Sequence, residues 1–185
     1  MKKLTVLVMA LVMLLSFAMA ETAEISTVNF TEMIPEELLA AGTYDTLNED
    51  IPAKIWVPNG MFTVADATEI PEEYATGLEI GMFKYAADES LKIIFTAVPN
   101  DEGTFDDLVA ALKADPETFT EVEEAVVNGI RAIGYSSKDE NGETLKYVTF
   151  EVADYVWLNL MYKETDNLEF NQAVGMISIS VAPVE

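Results

Sequence analysis

The chain has 185 residues, with 33 Asp and Glu against 10 Lys and Arg, no histidine and no cysteine, for a net charge of −23. That charge excludes nucleic acid and anionic lipid as partners, because both require clustered cations. The absence of His and Cys excludes a Ser-His-Asp triad, a thiol nucleophile, imidazole or thiolate zinc sites and iron–sulfur clusters.

The first 20 residues form a unit of their own. Lys2 and Lys3 precede an apolar run over 4–18, interrupted only by Thr5 and Ser16. Ala18-Met19-Ala20 then gives a small-x-small pattern just before Glu21. This is the pattern of a secretory signal peptide (residues 1–20) cut after Ala20. Its apolar core of about 15 residues is short for a bilayer span of roughly 20. The expected mature protein is therefore secreted, with no integral membrane span after cleavage. It is two charges more negative than the precursor, since the leader holds Lys2, Lys3 and no acid. With no disulfides available, packing must hold the fold, and a chain of this length buries roughly 70% of its unfolded surface.

Residues 21–49 read as an N-terminal extension. It opens with an extended stretch to Asn29 and contains a short helix over 35–42. Pro35 suits the first turn, Glu36 and Glu37 its positive end, and Gly42 its stop. Residues 43–50 read as a polar connection. Residues 50–185 read as a single domain. Ile55-Trp56-Val57 is a short strand, turned by Pro58-Asn59-Gly60 toward a partner over 61–65. One helical turn over 71–75 precedes a hairpin of 78–85 with 91–98. In the first of these strands Leu78, Ile80, Met82 and the Lys84 stem share a face.

Thr104, with Asp107 three residues on, opens an amphipathic helix whose stripe is Phe105, Leu108, Val109 and Leu112. Asp115-Pro116 ends it. The strand over 119–127 is followed by Asn128-Gly129, the pair favoured in a type I′ turn, and by its partner over 130–136. Asn141-Gly142 marks another tight turn, and 146–152 pairs with 155–162. A last helix over 166–178, capped by Asp166, points Phe170, Ala173, Val174 and Ile177 inward. Successive hairpins make a mainly antiparallel sheet, and amphipathic helices must cover it. The expected class is α+β, a layered α/β/α sandwich. Which strand ends the sheet is not legible at this level.

The order of elements resembles the PsbP/Mog1-like superfamily, and in particular its small exported bacterial members of unassigned function. The residues carrying the resemblance are Pro35-Glu36-Glu37-Leu38-Leu39-Ala40-Ala41-Gly42-Thr43, Ile55-Trp56-Val57-Pro58-Asn59-Gly60-Met61-Phe62, Val127-Asn128-Gly129-Ile130-Arg131-Ala132 and the closing segment to Ile177-Ser178-Ile179-Ser180. The resemblance spans about residues 30 to 183. It implies a single α/β/α domain acting as a binding module, and no functional residue of the family maps onto a motif here.

Three chemistries remain. Paired carboxylates about 5–10 Å apart hydrolyse glycosidic bonds, but 33 acids make such pairs by chance and no pair stands out. Oxygen-rich turns suit calcium. Asp101, Asp139 and Glu140 are the candidate ligands, in segments that read first as ordinary turns and lack EF-hand spacing. Trp56, Tyr147, Tyr155 and Trp157 form a candidate glycan-stacking platform, against the alternative that they pack beneath helices. Tyr155 and Trp157, two apart, share a strand face. No cofactor is expected. The leading reading is a secreted, non-enzymatic binding or envelope-associated protein with a protein or envelope partner. The alternatives are a carbohydrate-binding or carbohydrate-active protein and an extracellular cation-binding module.

Overall fold

The computed structural model describes residues 25–65, 67–100 and 103–184. The leader, with its cleavage point after Ala20, and Asp101 lie outside the described residues. The elements in chain order are β1 (Ser26–Val28), α1 (Phe30–Met33), α2 (Glu36–Leu39), β2 (Gly42–Thr46), β3 (Ala53–Pro58) and β4 (Phe62–Ala65). Two 3₁₀ turns follow, Ala67–Glu69 and Glu72–Tyr74, then β5 (Glu79–Tyr85), β6 (Asp88–Pro99) and α3 (Phe105–Ala114). The chain continues through β7 (Thr120–Val127), β8 (Ile130–Lys138), β9 (Thr144–Ala153), β10 (Val156–Lys163), α4 (Leu168–Ser180) and β11 (Ala182–Pro183). Eight strands make one sheet in the order β1-β7-β8-β9-β10-β6-β5-β4, and three make a second, β11-β3-β2. Among the described residues only the β1–β7 pair is parallel. The chain is thus α+β with a large, mainly antiparallel sheet built from hairpins.

Strand alternation sends side chains to two faces. On one face Phe95, Phe150, Leu158 and Leu160 pack against Phe170, Val174 and Ile177 of α4 and against Ile55 and Trp56 of the small sheet. The other face carries two smaller clusters. Phe105, Val109 and Leu112 of α3 cover Ile133. Ile70 and Tyr74, in and beside the second 3₁₀ turn, pack on Met82, Ile94 and Met161. Helices therefore lie on both faces of the large sheet, and the small sheet shares the layer of α4.

Local signals behave as their chemistry dictates. Thr104 Oγ1 accepts the Asp107 N–H at 3.2 Å while Asp107 Oδ2 accepts the Thr104 N–H at 2.9 Å, a reciprocal cap on α3. Asn128 and Gly129 adopt φ of 50° and 83°, as a type I′ turn requires.

Other expectations are corrected. The polar connection over 43–50 is largely strand, because β2 pairs with β3 from Gly42 to Thr46. The strand over 55–57 does not pair with 61–65. Pro58-Asn59-Gly60 carries the chain from one sheet to the other, where β4 pairs with β5. The reason is burial on both sides of β3: Ile55 and Trp56 are consecutive and both buried, so β3 is central and takes β2 and β11 as neighbours. In β5 a register shift between Glu79 and Gly81 separates Ile80, which meets the main core, from Met82, which belongs to the opposite face. The last helix is capped by Asn167, not Asp166; Asn167 Oδ1 accepts the Phe170 N–H at 3.0 Å. The segment read as an N-terminal extension supplies β1 to the large sheet and β2 to the small one.

Ser180 ties α4 to the small sheet within their shared layer. Its fully buried hydroxyl accepts the Trp56 N–H at 2.8 Å and donates to the Ile177 carbonyl at 2.8 Å. Ser180→Ala leaves a buried N–H without a partner, and about 1–2 kcal/mol of stability is expected to be lost in urea unfolding. Ser180→Thr, which keeps the hydroxyl, separates that loss from simple repacking.

Candidate functional site

The structure scatters the four candidate platform aromatics. Trp56 is 2% exposed in the small sheet. Its ring lies 5.6 Å from that of Phe30, and its Nε1 donates to the Leu39 carbonyl at 3.0 Å. Trp157 meets Phe105 of α3 edge-on at 5.9 Å. Tyr147 stacks on Tyr135 at 4.9 Å with planes 7° apart, and Tyr135 meets Phe119 edge-on. Burial pushes the Tyr135 phenol up; a hydrogen bond with Thr149 opposes this and the neighbouring Tyr147 adds to it. Tyr155 is 62% exposed, and it sits in the β9–β10 turn, because β10 begins at Val156. It therefore does not share a strand face with Trp157. Tyr147 and Trp157 lie on the α3 side of the large sheet, and Trp56 lies in the other layer. Tyr135 lies two residues beyond Ile133 on β8, so alternation places it on the α3 side beside Tyr147.

The candidate calcium residues serve a turn. Asp139 Oδ1 accepts the backbone N–H groups of Asn141 at 2.9 Å and Glu143 at 2.8 Å. Glu140 follows in that same exposed turn. Among the described residues no three acidic side chains gather as a metal-binding group.

The carboxylates that depart from their ordinary range depart downward. Lys146 and Ser136 hold Glu121 low, chiefly by hydrogen bonds, with slight burial opposing. The backbone N–H and hydroxyl of Thr104 lower Asp107, and the hydroxyl and N–H of Ser90 lower Asp88. At Glu79 burial pushes up, but hydrogen bonds from Thr76 and Gly77 outweigh it. A general acid working near neutrality needs the opposite shift.

A concavity lies where the two sheets part company. It is a cleft of about 400 Å³ lined by Leu47, Val64, Ala65, Ile80 and Phe83, with Asp45 and Thr46 at its polar side. Val64 is 73% exposed, unusual for a valine. Among the described residues both flanking strands are terminal: β2 ends the small sheet and β4 ends the large one. The Asn59 N–H donates to the Ala41 carbonyl and the Ala86 N–H to the Met61 carbonyl. Antiparallel alternation from those pairs turns the backbone groups of Tyr44 on β2 and of Val64 on β4 away from their partners, toward the free edges. The next amide on β2, Thr46, is already taken by the Asp45 carboxylate at 2.9 Å.

No family model and no curated protein matches this chain. Solved structures do. The solution structure of cyanobacterial PsbP (CyanoP) from Synechocystis sp. PCC 6803 matches with a TM-score of 0.50 and 12% identity, over 78% of this chain and 93% of that one. LpqN of Mycobacterium tuberculosis, described as involved in cell envelope biogenesis, matches with a TM-score of 0.46 and 19% identity, over 78% and 91%. At these identities the likeness concerns the fold, which is PsbP-like.

Proposed function

We propose that this PsbP-like chain is an exported, non-enzymatic binding protein that takes an extended, basic segment of a partner protein at the cleft between its two sheets. The observation that carries this reading is the cleft itself. Two free strand edges flank apolar walls, and a carboxylate stands at the rim. An extended segment adds to such an edge through main-chain hydrogen bonds, while its alternate side chains enter the apolar floor. The net charge of −23 favours a cationic occupant and disfavours a second copy of this chain, whose edge would bring the same charge. Export rests on the leader pattern of residues 1–20. The absence of catalysis is supported by carboxylates tuned downward and held by structural hydrogen bonds.

A short peptide alternating Lys and Val, titrated into ¹⁵N-labelled protein spanning 21–185, tests the reading. Shifts are expected at Tyr44, Thr46 and Val64, weakening several-fold as salt rises. Asp45→Lys is expected to weaken binding further without changing the fold, because Asp45 is exposed. A Glu/Val peptide binding equally well, or shifts elsewhere on the surface, would sink the proposal.

A further inference from the structure

A second cleft, sharing no lining residue with the first, is lined by Lys92 and Lys163 where the first has Asp45. Strand register creates it. Lys84 of β5 stands directly opposite Lys92 of β6. Tyr162 of β10 stands opposite Ile93 of β6, so the next step of the same ladder sets Lys163 against Lys92. Three adjacent strands thus bring three of the chain's 10 basic residues into one row, in a protein carrying 33 acids. Like charges placed directly opposite destabilise a sheet, so the row is not explained by folding. Lys84 is held by Glu69 and Lys163 by Glu143. Lys92, half-buried between them, makes no ion pair among the described residues.

The row borders a cleft of about 340 Å³. Lys92 and Lys163 line it together with the hydroxyl-bearing Ser90 and Thr165, and Ile94 and Met161 supply apolar surface. The one acid on the wall, Glu164, is drawn toward Lys146 at 3.3 Å. The unpaired Lys92 ammonium, the Lys163 ammonium shared with Glu143, the Thr165 hydroxyl and an apolar surface match a compact oxyanion attached to an apolar group, while the Ser90 hydroxyl is committed to Asp88 Oδ1 at 2.6 Å. We propose that this cleft binds a small soluble phosphate ester, with Lys92 as the principal anchor, Lys163 and the Thr165 hydroxyl as further donors, and the apolar part of the ligand against Ile94 and Met161. The anionic surface of the whole molecule disfavours a phospholipid bilayer as the source of that phosphate.

The site does not depend on the peptide-binding reading, and its test reads different amides. Phenyl phosphate, inorganic phosphate and phenol are each titrated into labelled protein in low-salt buffer. Phenyl phosphate is expected to produce saturable shifts over residues 90–94 and 161–165, inorganic phosphate weaker ones at the same amides, and phenol none. Lys92→Ala is expected to weaken phenyl phosphate at least tenfold while leaving the melting temperature unchanged or higher, because it removes a like-charge contact. Lys138→Ala, a lysine outside the row, is expected to change nothing. The proposal is overturned if phenyl phosphate gives no saturable shift, if phenol matches it, or if Lys92→Ala and Lys138→Ala behave alike.

Discussion

Gly42→Ala is expected to lose about 3 kcal/mol of folding stability, a large effect for one methyl group. A Cβ at Gly42 would lie 2.2 Å from Trp56 Cε2 and 2.3 Å from Cζ2. The indole cannot swing aside. Its Nε1 is bonded to the Leu39 carbonyl, Phe30 lies against its ring, and the side chain is almost wholly buried. Either the indole leaves its site or β2 separates from β3, and both disrupt the small sheet. Urea unfolding followed by tryptophan fluorescence measures the loss. Trp56→Phe removes the clashing part of the ring, so the double variant should lose clearly less than the two single losses added together. A Gly42→Ala protein within about 0.5 kcal/mol of the parent would refute this account of the contact.

Asn128→Ala is expected to lose about 3–4 kcal/mol. The residue closes the β7–β8 turn with φ of 50°, a conformation Asn tolerates better than Ala. Its side chain also ties two distant segments to the turn. Oδ1 accepts the Phe30 N–H at 2.7 Å, and Nδ2 donates to the carbonyls of Ile179 at 3.0 Å and Val181 at 2.8 Å. The start of α1 and the end of α4, with its capping residue Val181, are therefore fixed from one amide. Asn128→Gly isolates the two contributions. Glycine accepts the backbone conformation without strain, so its smaller loss, about 2–3 kcal/mol, reports the hydrogen bonds alone. If Asn128→Gly were as stable as the parent, the side-chain bonds would contribute nothing and only the turn would matter.

Asn128 marks the boundary between what is legible in sequence and what is not. Its turn follows from Asn-Gly, since few residue pairs accept positive φ at both positions. Its three side-chain partners lie 98, 51 and 53 residues away, beyond the reach of any local pattern. The same division separates α3 from β3. Thr104, Asp107 and an apolar stripe define α3 within a dozen residues. For β3, a local reading pairs the strand with its next neighbour, whereas its ladder is completed by β2 and by a strand at the far end of the chain. Among the candidate functional residues, Tyr147 and Trp157 fall on one side of the large sheet, but Trp56 is enclosed in the other layer. Alternation shows which residues share a strand face. It does not show which strands become neighbours.

The leader pattern, the acidity, the exclusion of His- and Cys-dependent chemistry, the α+β class and most hairpins and helices are legible in the residues alone. Each depends on composition or on interactions within a few residues. That β2 and β4 are edge strands converging on one cleft, and that Lys84, Lys92 and Lys163 stand in one row, emerges only in the folded chain. Those arrangements depend on register between separate strands, and burying both faces of the large sheet is what sets that register: a slip of one residue would turn Ile93, Phe95, Leu158 and Leu160 out of the core and move the lysines to the other face.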